Sequence, residues 1–89
     1  MRFQPGYLTA TPGALEVLED AKQSPMEFVQ RHLAGDFGEV CAEDAAENEL
    51  SIKKGFRILS AYRTNKGVRI WVITESDRSA TTILLPSEY

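Results

Sequence analysis

The sequence predicts an α+β protein: two or three N-terminal helices packed on one face of a small antiparallel sheet of three C-terminal strands. Three observations carry this. Thr11-Pro12 and Ser24-Pro25 each pair a capping hydroxyl with a proline at the first helical position. Apolar residues then recur at helical spacing up to residue 54. From Phe56 to Leu85 the pattern changes to short runs of β-branched and aromatic residues broken by two polar turns. At 89 residues the chain is read as one domain, 1–89, with residues 1–10 as a flexible arm.

Pro5-Gly6 marks a turn within that arm, and Phe3, Tyr7 and Leu8 are its means of attachment to the domain or to a partner. The first helix runs from Pro12 to near Lys22, with Leu15 and Leu18 as its stripe. Ser24, Pro25 and Glu27 then form a start signal in which Glu27 can complete a capping box. The second helix buries Met26, Val29 and Leu33, and Gly35 is its natural stop. Glu43 to Lys54 reads as a third helix, with acidic residues leading and Lys53-Lys54 trailing, as the helix dipole favours.

In the first strand Arg57, Leu59, Ala61 and Arg63 alternate with Phe56, Ile58, Ser60 and Tyr62. Thr64-Asn65-Lys66-Gly67 makes a hairpin, read as a type I turn with Gly67 left-handed. Pairing Arg63 with Val68 gives a core face of Leu59, Ala61, Val68, Ile70 and Val72. Ile58, Ser60, Tyr62, Arg69, Trp71 and Ile73 are then left for contact with something else. The third strand, Thr81–Leu85, closes at Pro86.

The formal net charge of −3 is unevenly spread. Residues 1–52 carry three cations against ten carboxylates, a net −7, and residues 53–89 carry seven against three, a net +4. A basic sheet half attracts an acidic protein or a phosphate backbone. The acidic total favours a protein over a nucleic acid, and the acid-rich helices argue against a helix-turn-helix. No stretch has the apolar length of a membrane span, and nothing suggests an export signal, so the expected setting is cytoplasmic. A single cysteine, Cys41, excludes an internal disulfide and is expected to be a buried or half-buried side chain. One histidine, one cysteine and no ligand-spaced motif give no reason to expect a metal or another cofactor.

Binding candidates are Tyr62, Arg69, Trp71 and Arg78, where cationic and aromatic side chains interleave. An exposed Tyr62/Trp71 patch would suit a protein partner or a homodimer. Catalytic candidates, none of which is singled out as decisive, are His32, Arg63, Arg78, Thr82 and Tyr89. In that second reading, a metal-independent ribonuclease, His32 is the general base, oriented by Asp36, and sheet arginines bind phosphate.

The segments HLAGDFGEV (32–40), LSAYRT (59–64) and WVITESDRSATTILLPSEY (71–89) resemble a family of small, functionally uncharacterised bacterial proteins labelled plasmid-related. The resemblance runs from about Pro12 onward. It implies an accessory protein of a mobile genetic element and assigns no catalytic residue. A looser likeness is to the barnase, colicin and RelE-like ribonuclease fold, in which His32, Arg63, Thr82 and Tyr89 match catalytic positions by chain order alone. The main expectation is therefore a small binding protein that meets its partner through the basic sheet half.

Overall fold

A computed structural model describes all residues, Met1–Tyr89. The elements are β1 (Tyr7–Ala10), α1 (Pro12–Ala21), α2 (Pro25–Leu33), α3 (Ala42–Lys54), β2 (Ile58–Arg63), β3 (Arg69–Thr74) and β4 (Ala80–Leu84), followed by a single 3-10 turn, Pro86–Glu88. The α+β class and the antiparallel β2–β3–β4 meander agree with the sequence pattern. The sheet has a fourth strand, however. Its order is β1-β4-β3-β2, with β1 parallel to β4. Residues 7–10, expected as part of an arm, are its edge.

The helices start where the sequence signals them. Thr11 Oγ1 accepts from the Ala14 amide at 3.2 Å, and Ser24 Oγ from the Met26 amide at 3.2 Å. Glu88 reinforces the first start: its carboxylate accepts from Thr11 Oγ1 at 2.5 Å and from the Gly13 amide at 3.3 Å, tying the C-terminal turn to the N-terminus of α1. Glu27 does not close a capping box; its carboxylate accepts from the Gln23 side chain at 3.0 Å. The stops are left-handed residues, Lys22 after α1 and Gly55 after α3. Cys41 precedes α3 and is exposed, contrary to expectation, because it sits at the N-cap on the outer side of the molecule.

The core lies between α1, α2 and one face of the sheet. Ala14, Leu18, Phe28, Val29 and Leu33 pack on Ile58, Tyr62, Ile70, Val72 and Ile83, with Phe3 and Phe37 closing the ends. Each large side chain buried here contributes on the order of 2 kcal/mol. Met26, expected in this set, is exposed at the start of α2.

The β2–β3 register differs from the expected one by one residue. Arg63 stands opposite Arg69 and Tyr62 opposite Ile70. The turn type is as expected, but it closes one residue later: the Thr64 amide donates to Val68 O at 2.9 Å and the Gly67 amide to Thr64 O at 2.8 Å, with Gly67 at φ +78°. Because side chains alternate, this slip exchanges the faces of β2. Ile58, Ser60 and Tyr62 face the helices, while Leu59, Ala61 and Arg63 face away.

The two sheet edges are treated differently. Along β2, the Ala61 amide donates to Phe37 O at 3.0 Å and Ala61 O accepts from the Glu39 amide at 2.7 Å. The neighbouring Leu59 exchanges both of its backbone bonds with the Asn48 side chain of α3, at 3.1 and 2.7 Å. Gly38 makes the approach possible, since a Cβ there would meet Ala61 O at 2.1 Å. Along β1, the Tyr7 and Thr11 amides turn inward to Ser79 O and Ile83 O, which leaves Leu8 and Ala10 pointing outward.

Candidate functional site

His32 is on the last turn of α2, and the helix carries it directly over the sheet, where it is fully buried. Its Nδ1 lies 2.5 Å from Ser60 Oγ and its Nε2 2.8 Å from Thr74 Oγ1. Thr74 Oγ1 is 2.7 Å from Thr81 Oγ1, which donates to Pro5 O at 2.8 Å. These bonds fix every proton in turn. Thr81 gives its only hydrogen to Pro5, so Thr74 donates to Thr81 and must accept from His32 Nε2–H. A neutral ring then has a bare Nδ1, to which Ser60 donates. Burial holds the His32 pKa down at about 4, in line with that neutral form. Phe3 packs edge-on against the ring at 5.2 Å.

Asp36, expected beside His32, accepts from Arg31 Nε at 2.7 Å and from the Gly38 amide at 3.2 Å. It closes the turn after α2 and leaves the imidazole alone. Tyr62 is likewise removed from the contact set. The register puts it on the helix-covered face, where its hydroxyl donates to Asp36 O at 2.5 Å and Arg31 covers its ring at 4.5 Å. Burial pushes its phenol up to about 12.

Arg78 has a structural task. Its guanidinium donates to the carbonyls of Phe56 (2.8 Å), Glu75 (3.0 Å), Ser76 (3.2 Å) and Ser51 (2.8 Å). One side chain thus fastens the β3–β4 turn to the end of α3 through its two terminal nitrogens. The adjacent Asp77 does not pair with it; its carboxylate accepts from the Ser79 amide at 2.9 Å.

The other sequence-derived residues converge on the sheet face opposite α1 and α2. Register and pleat put Leu59, Ala61, Arg63, Arg69, Trp71, Ile73, Thr82, Leu84, Thr9 and Tyr7 there. Trp71 is half-buried, and Tyr89 stands edge-on to it at 5.7 Å. Arg57 lies over the Tyr89 ring at 5.2 Å and donates to its hydroxyl. Thr82 shares a bond with Thr9 at 2.7 Å. Arg63 pairs with Glu39 at 2.9 Å, whereas Arg69, directly across from Arg63, is exposed and has no acidic partner.

The sequence-derived set is therefore divided. Arg69 and Trp71 share an open face with Arg63, Thr82 and Tyr89; Tyr62, His32 and Arg78 are committed to the fold. Arg57 belongs with the open group, and its alternation with Leu59, Ala61 and Arg63 was the signal for it. Ser60 and Thr74 could have been found as the hydroxyls sharing a face with Ile58, Tyr62, Ile70 and Val72. No three His, Cys, Asp or Glu side chains converge as a metal site requires, and no helix is long and apolar enough to cross a membrane. No protein-family model matches the chain, and neither does any curated protein or solved structure.

Proposed function

We propose that this chain is a small accessory binding protein that grips an acidic segment of a protein partner on its open sheet face. The observation that supports this reading is the cross-strand pair Arg63–Arg69 next to Trp71. Like charges directly opposite each other are unfavourable in a sheet. Glu39 offsets one of them, and Arg69 is left as a cation with no internal use. A carboxylate delivered by a partner would relieve that repulsion, while Trp71 and Tyr89 offer aromatic surface of the kind that anchors interfaces.

The overall acidity, with a net −3 and a pI near 5.1, disfavours a long phosphate backbone, so a protein ranks ahead of a nucleic acid. The resemblance noted in the sequence puts this activity in the context of a mobile genetic element. The ribonuclease reading lacks its proton acceptor: His32 is sealed in the core with both nitrogens bonded.

Trp71 is the only tryptophan, so its fluorescence reports on this face alone. An acidic polypeptide such as poly-glutamate should change that emission in a salt-dependent way, and Arg69→Glu should weaken the response at least tenfold. Tighter binding of single-stranded RNA would transfer the face to nucleic acid. A flat emission with both probes would overturn the proposal.

A further inference from the structure

The geometry points to β1 as a self-association edge: we infer that two copies of this chain pair antiparallel through Tyr7–Ala10 to form one continuous eight-stranded sheet. β4 lies between this edge and the Arg69–Trp71 patch, so the inference stands independently of the function proposed above.

Three features lead to it. First, β1 is held rigidly in place. Its inward amides bond to β4, Thr9 bonds to Thr82, and the Pro5 carbonyl just before it accepts from Thr81. It therefore presents the outward N–H and C=O groups of Leu8 and Ala10 as a preformed template. Second, the protein covers its other edge at Leu59 and Ala61, with Asn48 and Phe37–Glu39, yet β1 has no covering segment, lysine, proline or bulge. Third, an apolar groove of about 290 Å³ runs beside the free edge, lined chiefly by Leu8, Leu15, Pro25, Met26 and Val29. Leu8 and Leu15 are each 47% exposed and Met26 42%, a level unusual for side chains of this size clustered together.

Charge selects the occupant. The helical half of the molecule carries a net −7, but β1 and the groove lining contain no ionisable side chain except the Tyr7 phenol. A charged segment would find nothing to pair with, and a neutral extended one is needed. Tyr7-Leu8-Thr9-Ala10 is such a segment, and its first three residues are exposed in every copy. With Thr9 on a two-fold axis, Leu8 bonds to Ala10 of the second copy and Ala10 to Leu8, giving four backbone bonds. The two Leu8 side chains then lie on the helix side of the joined sheet, where they close the two grooves. A four-residue pairing is short, so the apolar contact has to supply much of the affinity.

Sedimentation equilibrium combined with amide hydrogen exchange tests this. The wild-type protein should show twice its 9.9 kDa mass. With rising concentration the Leu8 and Ala10 amides should slow at least tenfold, while Tyr7 and Thr11, already bonded to β4, should not change. Leu8→Lys, and separately Met26→Glu, should each weaken the dimer at least tenfold; the second adds a carboxylate in the first turn of α2, where a helix accepts it. Arg69→Glu should leave the dimer intact. A wild-type monomer at concentrations up to about 1 mM, or a dimer indifferent to both groove substitutions, would overturn the inference.

Discussion

The two faces of the sheet use the same kinds of side chain to opposite ends. On the helix-covered face, Ser60, Thr74, Thr81, His32 and Tyr62 are polar and buried, and every one has a partner; no buried side-chain nitrogen or oxygen is left without a bond. On the open face, Arg69 and Trp71 carry capacity that the fold does not consume. Residue type therefore does not separate positions committed to the fold from positions left free of it in this protein. What separates them is whether a donor or cation finds an internal partner, because an unsatisfied group in the core costs far more than one in water.

Substituting the centre of the covered face tests this contrast most severely. His32→Ala strips a partner from both Ser60 and Thr74 and leaves a cavity under Phe3, so a loss of about 4 kcal/mol is expected in chemical denaturation. A loss below about 1 kcal/mol would mean that the hydrogen-bonded chain contributes little. Acid acts on the same ring without mutation. His32 titrates near 4 when folded and near 6.5 when unfolded, so the unfolded chain binds the extra proton between those values. Stability should therefore be complete above pH 6.5 and decline by up to about 3 kcal/mol as pH falls to 4, an effect His32→Gln would abolish. The smallest effect belongs to the open face. Arg69→Ala should change stability by less than about 0.5 kcal/mol, and a slight gain is expected from removing the Arg63 repulsion. A large loss would show that Arg69 serves the fold after all.

Much of the fold, though less of this division, was legible in the sequence. Thr11 and Ser24 marked helix starts because capping depends on local chemistry that a few adjacent residues specify. Gly67 identified the hairpin turn for the same reason. Two of the three failures arose from contacts remote in sequence, and the third from the closure of a hairpin. β1 has only four residues, and its strand partner is 73 positions away, so neither a neighbouring hairpin nor a long alternating run announced it. Tyr62 and Ser60 face inward, not outward, because the hairpin closes Thr64 rather than Arg63 onto Val68, and a one-residue difference in closure reverses the whole strand. His32 looked like a free base because the hydroxyls that occupy it come from β2 and β3, 28 and 42 residues further on. The burial of Ser and Thr on a core face is intelligible only once the histidine above them is known.

The β1–β4 pairing also sets an order of events during folding. All three helices, β2 and β3 lie within the loop that this pairing closes, so joining the two strands incurs the largest loop-closure entropy in the molecule. The β2–β3–β4 meander and the capped helices can assemble from near neighbours, whereas β1 must dock late onto a surface that is already formed. In a chain synthesised from its N-terminus, Tyr7–Ala10 emerges first and waits for Ala80–Leu84 with both of its edges unpaired. At that stage two nascent copies can satisfy each other's edges as readily as either can satisfy its own, and exchange of β1 between chains becomes the natural misassembly of this topology.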